Sequence, residues 1–364
     1  MKDKIEIVYS EPAEYFPKNL REKYKLGEFA ESEELKKIKA VMLGHAVGDA
    51  LGVPVEFCSR AELDETPVID MMGWGSYPVP EGCWSDDTSM ALATLDSLKK
   101  GSIDYEDIMQ NFVAWCTEDK YTPTGEMFDI GRTCLSAIRS YMKDDKPALE
   151  CGLEDEHSNG NGSLMRIHPM ALYLFLKGMT GEKGIEIIHN TSALTHAHPR
   201  AKIACGIYSL ILWKLLKRPY KASVLDGMRL ARRIYGGCKM FSTSKDYLLY
   251  DKFLMKRIGG IYRHWEDDDP REVMREEIKS TGYVVDTLEA AVWCLLTTNS
   301  YKECVLKAVN LGEDTDTVAA VAGGLAGALY GLDSIPEEWL NTLKKREYIE
   351  EMCEEACLTW KNVI

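Results

Sequence analysis

The chain has 364 residues, 45% of them apolar and 28% charged, with a formal net charge of −14 and 11 cysteines. That apolar share supports a sizeable core and excludes disorder as the default, while an acidic balance without a basic stripe argues against a nucleic-acid partner. An odd cysteine count without repeating spacing, a charged N-terminus without a secretory signal, and no apolar run read as membrane-spanning point to a reducing cytoplasm and no membrane partner.

Residues 1–36 are charged, carry Pro12 and Pro17, and read as an N-terminal extension. Residues 37–364 read as one domain, with 235–281 a surface insertion marked by Gly-Gly pairs and the run Glu266-Asp267-Asp268-Asp269. Helical periodicity predicts helices over 35–51, 89–99, 105–115, 132–142, 200–216, 224–234, 286–297, 301–309, 318–330 and 348–361. Lys99-Lys100-Gly101 and Gly331 read as helix stops. Only 5–9 and 68–72 read as strands, so the expected class is all-α with long loops. Cys353 and Cys357, four apart on one predicted helix, read as core thiols.

Two stretches concentrate side-chain oxygens where helices begin. Ser85-Asp86-Asp87-Thr88 runs into an apolar helix, and so does Glu313-Asp314-Thr315-Asp316-Thr317. N-capping accounts for one such residue per helix, since an Asp, Ser or Thr satisfies the free N–H groups and suits the dipole. Clusters of three exceed that need, and crowded carboxylates repel unless a cation lies between them. Hard oxygen ligands without His or Cys suit Mg²⁺, Mn²⁺ or Ca²⁺, and converging helix starts would hold two such ions about 3.5–4 Å apart. From these residues alone, paired caps and a metal site both stand. Gly323, Gly324 and Gly327 among alanines make the second helix slender, which fits tight central packing.

With these motifs in view, the chain resembles the ADP-ribosylglycohydrolase family. The resemblance runs in order from about Lys37 to Tyr330. It begins with the stretch Gly44 to Glu56 and Ser85-Asp86-Asp87-Thr88, where Ser replaces the usual Thr. Asp129-Ile130-Gly131-Arg132-Thr133, Gly160-Asn161-Gly162-Ser163-Leu164-Met165-Arg166 and Thr195-His196-Ala197-His198-Pro199 follow. Gly282 to Leu288 and Gly312 to Gly331 complete it. Seven motifs in order are far more specific than one.

The resemblance implies an all-α domain whose Ser85, Asp86, Asp87, Asp314, Asp316 and Thr317 ligate two divalent metal ions, Mg²⁺ or Mn²⁺. It implies hydrolysis of the bond between ADP-ribose and a modified protein, with Asp129 managing proton transfer and Glu56 the alternative acid. The Asp-Ile-Gly loop favours an arginine linkage over serine; another ADP-ribose linkage is the enzymatic alternative. Asn161, Gly162, Ser163, Met165, Arg166, His196 and Tyr283 are expected to line the ADP-ribose, and His198 to be structural. Some relatives protect against ADP-ribosylating toxins, so the extension, with Tyr9, Tyr15, Phe16 and Tyr24, has a second reading as an arm that binds an ADP-ribosyltransferase toxin; the other is packing on its own domain.

Overall fold

Helices form where apolar residues recur with a helical period, and they extend the predicted spans by a turn or less. The computed structural model describes residues 32–237, 244–252 and 275–361. The predicted strand at 5–9, the aromatic residues of the extension and the Glu266–Asp269 run lie outside them. In chain order come α1 (Glu33–Gly52), α2 (Arg60–Glu65), α3 (Asp86–Leu98), α4 (Tyr105–Glu118) and α5 (Arg132–Asp144). Then come α6 (His168–Leu176), α7 (Glu182–Ala193), α8 (Pro199–Lys217), α9 (Lys221–Gly237) and α10 (Ser244–Tyr250). The C-terminal part holds α11 (Val284–Leu296), α12 (Tyr301–Val309), α13 (Thr315–Tyr330), α14 (Glu337–Thr342) and α15 (Arg346–Lys361).

Periodicity left out α2, α6, α7, α10 and α14, of which α2, α10 and α14 are short and α6 lacks an amphipathic stripe. The α6 sequence is apolar nearly all round because most of it is buried, so no face stands out. The short α2 is announced instead by a capping box, in which Ser59 and Glu62 satisfy each other's backbone N–H groups. No strand occurs among the described residues; two isolated bridges pair Leu153 with His196 and Gly160 with Tyr283. The expected strand at 68–72 is irregular, because the side chain of Asn310 takes both backbone groups of Val68, each at 2.8 Å. Of the segment read as a surface insertion, the described part turns Tyr235, Tyr247 and Tyr250 into the core, and Tyr250 donates its hydroxyl proton to the Arg200 carbonyl.

Together with the turn Val53–Val55, α1 forms a run of 23 residues long and apolar enough to cross a membrane. This corrects the expectation that no run reaches that length; the apolar part of the run is buried inside the fold. Its partner is the slender α13. Gly44, Gly48 and Gly52 recur every fourth residue and face Gly323, Ala319 and the Thr315–Asp316 peptide, backbone against backbone. A Cβ at Gly44 would stand 2.6 Å from the Gly323 carbonyl oxygen, so only glycine permits this approach. The Tyr301 hydroxyl closes the crossing with a 2.6 Å hydrogen bond to the Gly44 carbonyl, and Thr315 Oγ1 donates to the Gly52 carbonyl at 2.8 Å. The crossing brings the C-terminus of α1 to the N-terminus of α13.

Candidate active site

Four polypeptide segments converge at that crossing. The first is the start of α3. Ser85 caps it, its hydroxyl accepting from the Asp87 N–H, and Asp86 and Asp87 occupy the first turn. Beneath them lies Asp49 of α1, a fully buried carboxylate that accepts from the Ser85 N–H (2.9 Å), the Thr88 N–H (3.0 Å) and the Thr88 hydroxyl (2.6 Å). Asp49 thus pins the helix start on which Asp86 and Asp87 ride. Its signal in the sequence is a lone carboxylate in a run from Ala40 to Val53 that is apolar apart from it and His45.

The second segment is the start of α13. Asp314 is its N-cap residue by position, yet makes no side-chain capping bond. One of its oxygens accepts from Asn161 Nδ2 at 2.9 Å instead. Gly312, at φ +79°, makes the turn before it, packed against the backbone of Cys58 and Arg60 where a side chain has no room. The Arg60 guanidinium holds this turn by donating to the carbonyls of Leu311, Arg275 and Ile278 at 2.7–2.8 Å. The Thr317 hydroxyl lies 3.3 Å from Asp87 Oδ1 and ties the two helix starts together.

The third and fourth segments bring Glu56, just past α1, and Asp129, on the loop before α5. Carboxylate oxygens of Asp49, Asp87 and Asp316 all lie within 4.8 Å of one another, and so do those of Glu56, Asp129 and Asp316. Asp129 adopts a left-handed backbone, φ +54°, a conformation costing a non-glycine residue on the order of 1 kcal/mol or more. Tyr77, which carries no signal in the sequence, lies beside Glu56 and Asp129; burial first and their negative charges second push its phenol above the ordinary range. Its ring packs 5.0 Å from Phe128, beside Asp129.

The electrostatics are those of confined negative charge. Burial, then the charges of Asp129 and Asp314, push the Glu56 carboxyl up to about 9. Burial first and neighbouring carboxylates second raise Asp86, Asp87 and Asp316 well above the ordinary range; burial also raises Asp314. Asp87 Oδ2, Asp314 Oδ1 and Glu56 Oε2 are buried without a hydrogen-bond partner. Two caps would leave no such surplus, whereas orphaned oxygens around one point suit a hard divalent cation. The donor set therefore fits a metal site, and the capping reading accounts for Ser85 alone.

Around the carboxylates runs the loop from Asn159 to Arg166. It is tied to the turn before α11 by Asn161 N–H to the Gly282 carbonyl and Val284 N–H to the Asn159 carbonyl, both 3.1 Å. Asn161 also reaches Thr287, and Gly162 lies over the His196 ring. His196 is buried, hydrogen-bonded through Nδ1 to Thr195, and kept neutral by burial, with its pKa lowered to about 3. Tyr283 is half-buried at the same edge, with the Arg200 guanidinium 5.8 Å above its ring. Where the sequence placed Ser163, Met165 and Arg166 at a ligand, the structure buries their side chains. Ser163 bonds Ser192, and Arg166 bonds Thr195 while stacking 4.6 Å over Phe112. A guanidinium so held inside the core is spent on the fold. His198 caps α8, accepting from the Arg200 N–H.

A sequence profile of the ADP-ribosylglycohydrolase family matches residues 30–362. The chain is 32% identical to the ADP-ribosylarginine hydrolase Tri1 of Serratia proteamaculans, over 89% of this chain and 80% of that protein. It is 32% identical to the ADP-ribosyl-[dinitrogen reductase] glycohydrolase of Rhodospirillum rubrum, over 83% and 88% respectively. A solved structure described as an ADP-ribosylglycohydrolase-related protein complex superposes with a TM-score of 0.70 at 29% identity, over 90% of this chain and 99% of that one.

Proposed function

The chain belongs to the ADP-ribosylglycohydrolase family, and from that premise we propose that it releases ADP-ribose from modified arginine side chains of proteins. The observation that carries the reading is the convergence of Asp86, Asp87, Asp314 and Asp316 with Glu56 and Asp129, three of whose oxygens lack partners. Two relatives whose names specify ADP-ribosylarginine hydrolysis, from Serratia proteamaculans and Pseudomonas putida, support the linkage.

Ser85, Asp86, Asp87, Asp314, Asp316 and Thr317 would hold two divalent ions, Mg²⁺ or Mn²⁺, with Asp49 fixing the α3 ligands from behind. When bound, the ions supply electrostatic orientation of the ribose hydroxyls and acidify water. Water attacks C1 of the ribose next to the linkage; the C1–O bond forms as the C1–N bond to the guanidine breaks. Asp129 accepts the water's proton. The departing guanidine nitrogen needs a proton, and Glu56, the second acid at the cluster, supplies it. Positive charge at C1 in the transition state lies among these carboxylates, which favour it. Asn161 and Gly162 position the ribose, and the face of Tyr283 receives the adenine.

Incubation with an arginine-ADP-ribosylated protein, with Mg²⁺ or with EDTA, tests the reading. Free ADP-ribose should appear only with Mg²⁺ and not with Asp316→Ala. Release from a serine-linked substrate alone would overturn the arginine assignment, and release by Asp316→Ala would overturn the site.

A further inference from the structure

Large apolar side chains left in solvent are ordinary when scattered. Here they are not: of the nine exposed ones among the described residues, Phe57, Ile69, Met72 and Trp74 fall between Glu56 and Tyr77. Phe57 and Trp74 are each 72% exposed. Both adopt left-handed backbones, φ +68° and +60°, which bulky residues disfavour. Like Asp129 and Glu313, they are strained residues bordering the carboxylate cluster. Phe57 directly follows Glu56. Trp74 is tied to the same turn, because Gly75 packs on Pro54 and the Ser76 N–H donates to the Pro54 carbonyl at 2.8 Å. The Ser76 hydroxyl donates to the Glu56 carbonyl at 2.5 Å.

Exposed acidic residues adjoin the backbone beside both aromatic residues. Exposed Glu313 is joined to Phe57 and Cys58 by two backbone hydrogen bonds of 2.7 Å. Exposed Glu81 lies against Gly73, one residue before Trp74. Nearby Arg60 and Arg275 are committed, Arg60 to backbone carbonyls and Arg275 to Asp64. An aromatic face with carboxylates beside it attracts guanidinium and ammonium groups and repels phosphates.

We propose that Phe57 and Trp74, with Glu81 and Glu313, form the docking rim for the polypeptide that carries the modified arginine, and that this rim selects basic, arginine-bearing segments. The proposal rests on the reading of the site as an arginine-directed hydrolase. The ADP-ribose half of the substrate occupies the carboxylate cluster and the Asn161 loop; the rim takes the chain on the leaving side. Anionic lipid and nucleic acid are disfavoured by the same charges.

The test uses Trp74→Gly and Phe57→Gly, which remove the ring while relaxing the left-handed backbone, so the fold is kept or stabilised. Hydrolysis is compared on an ADP-ribosylated protein and on free ADP-ribosyl-arginine. For each variant the ratio of kcat/KM on protein to that on the small substrate should fall about tenfold, at undiminished Tm, as expected for loss of a cation–aromatic contact. An unchanged ratio would overturn the proposal, as would self-association of the wild type that the variants abolish, which would assign the rim to a second copy. Binding of an unmodified arginine-rich peptide supplies a readout independent of hydrolysis: it should weaken in both variants and in Glu313→Lys. If the wild type cleaves neither substrate, the hydrolase reading fails, and equal peptide binding by wild type and variants would then sink the docking rim as well.

Discussion

At the scale of single residues, the site is a problem of holding negative charges together. Asp316 belongs to both carboxylate groups, so its neutralisation removes the member they share. Asp316→Asn should abolish metal binding, read by calorimetry, together with hydrolysis. Asp129 offers a sharper separation. Its carboxylate reaches the cluster from a strained loop outside the two oxygen-rich helix starts. Asp129→Asn should lower kcat by about 10²–10⁴, the range for loss of a general base, while metal affinity persists; a variant with full kcat would transfer the role to Glu56. Asp49→Asn should weaken metal binding without touching substrate, because it loosens the Ser85 and Thr88 N–H groups that orient the α3 carboxylates.

Among the elements, the crossing of α1 and α13 decides where the site is. Three glycines on α1 let backbone meet backbone, and the N-terminus of α13 consequently arrives under Glu56. Gly48→Ala should be destabilising by about 1–3 kcal/mol or more, since the methyl group meets the Ala319 peptide, which cannot swing aside as a side chain would. Gly181→Ala, with open space around it but at the N-cap of α7, should cost only the loss of a good cap residue and is the milder comparison. Equal denaturation midpoints for the two would show that the crossing tolerates separation. A loss of metal affinity in Gly48→Ala beyond the loss of stability would show that the crossing also sets ligand spacing.

For the whole molecule, the confined carboxylates couple metal, protons and stability. The folded Glu56 has its pKa near 9, against 4.5 for the unconstrained group, so the folded state holds the proton more tightly than the unfolded state. That contribution is fully present below about 4.5 and is lost as pH rises through about 9; the raised Asp86, Asp87 and Asp316 act in the same direction. Without metal, melting temperature should therefore decline across this window from these groups. Mg²⁺ needs the deprotonated ligands, so its affinity and the stabilisation it confers should grow with pH over the same range. Thermal melts with EDTA and with Mg²⁺ at about pH 6 and about pH 9 check this; an Mg²⁺ increment that shrinks with pH would contradict the carboxylate site.

By itself the sequence determined the helical class, most helix positions, the family and the two oxygen-rich helix starts. Each of those depends on residue type at short spacing: a period of apolar residues, a cap, a motif. The glycine spacing in α13 even announced tight packing. What it left open required distances between remote segments. Ser85 caps its helix while Asp314 does not, a distinction that turns on Asn161 reaching Asp314 across 153 positions. Asp49 is legible as an odd charge in an apolar helix, but only the approach of α3 makes it a support for metal ligands. Tyr77 stands in a loop with no periodic signal, and only folding brings it beside Glu56 and Asp129. Arg166, with the charge and place of a phosphate ligand in its motif, is turned into the core by Phe112 and Thr195. Local patterns specify which groups are present; tertiary packing decided which of them face one another, because burial and charge act through space and not along the chain.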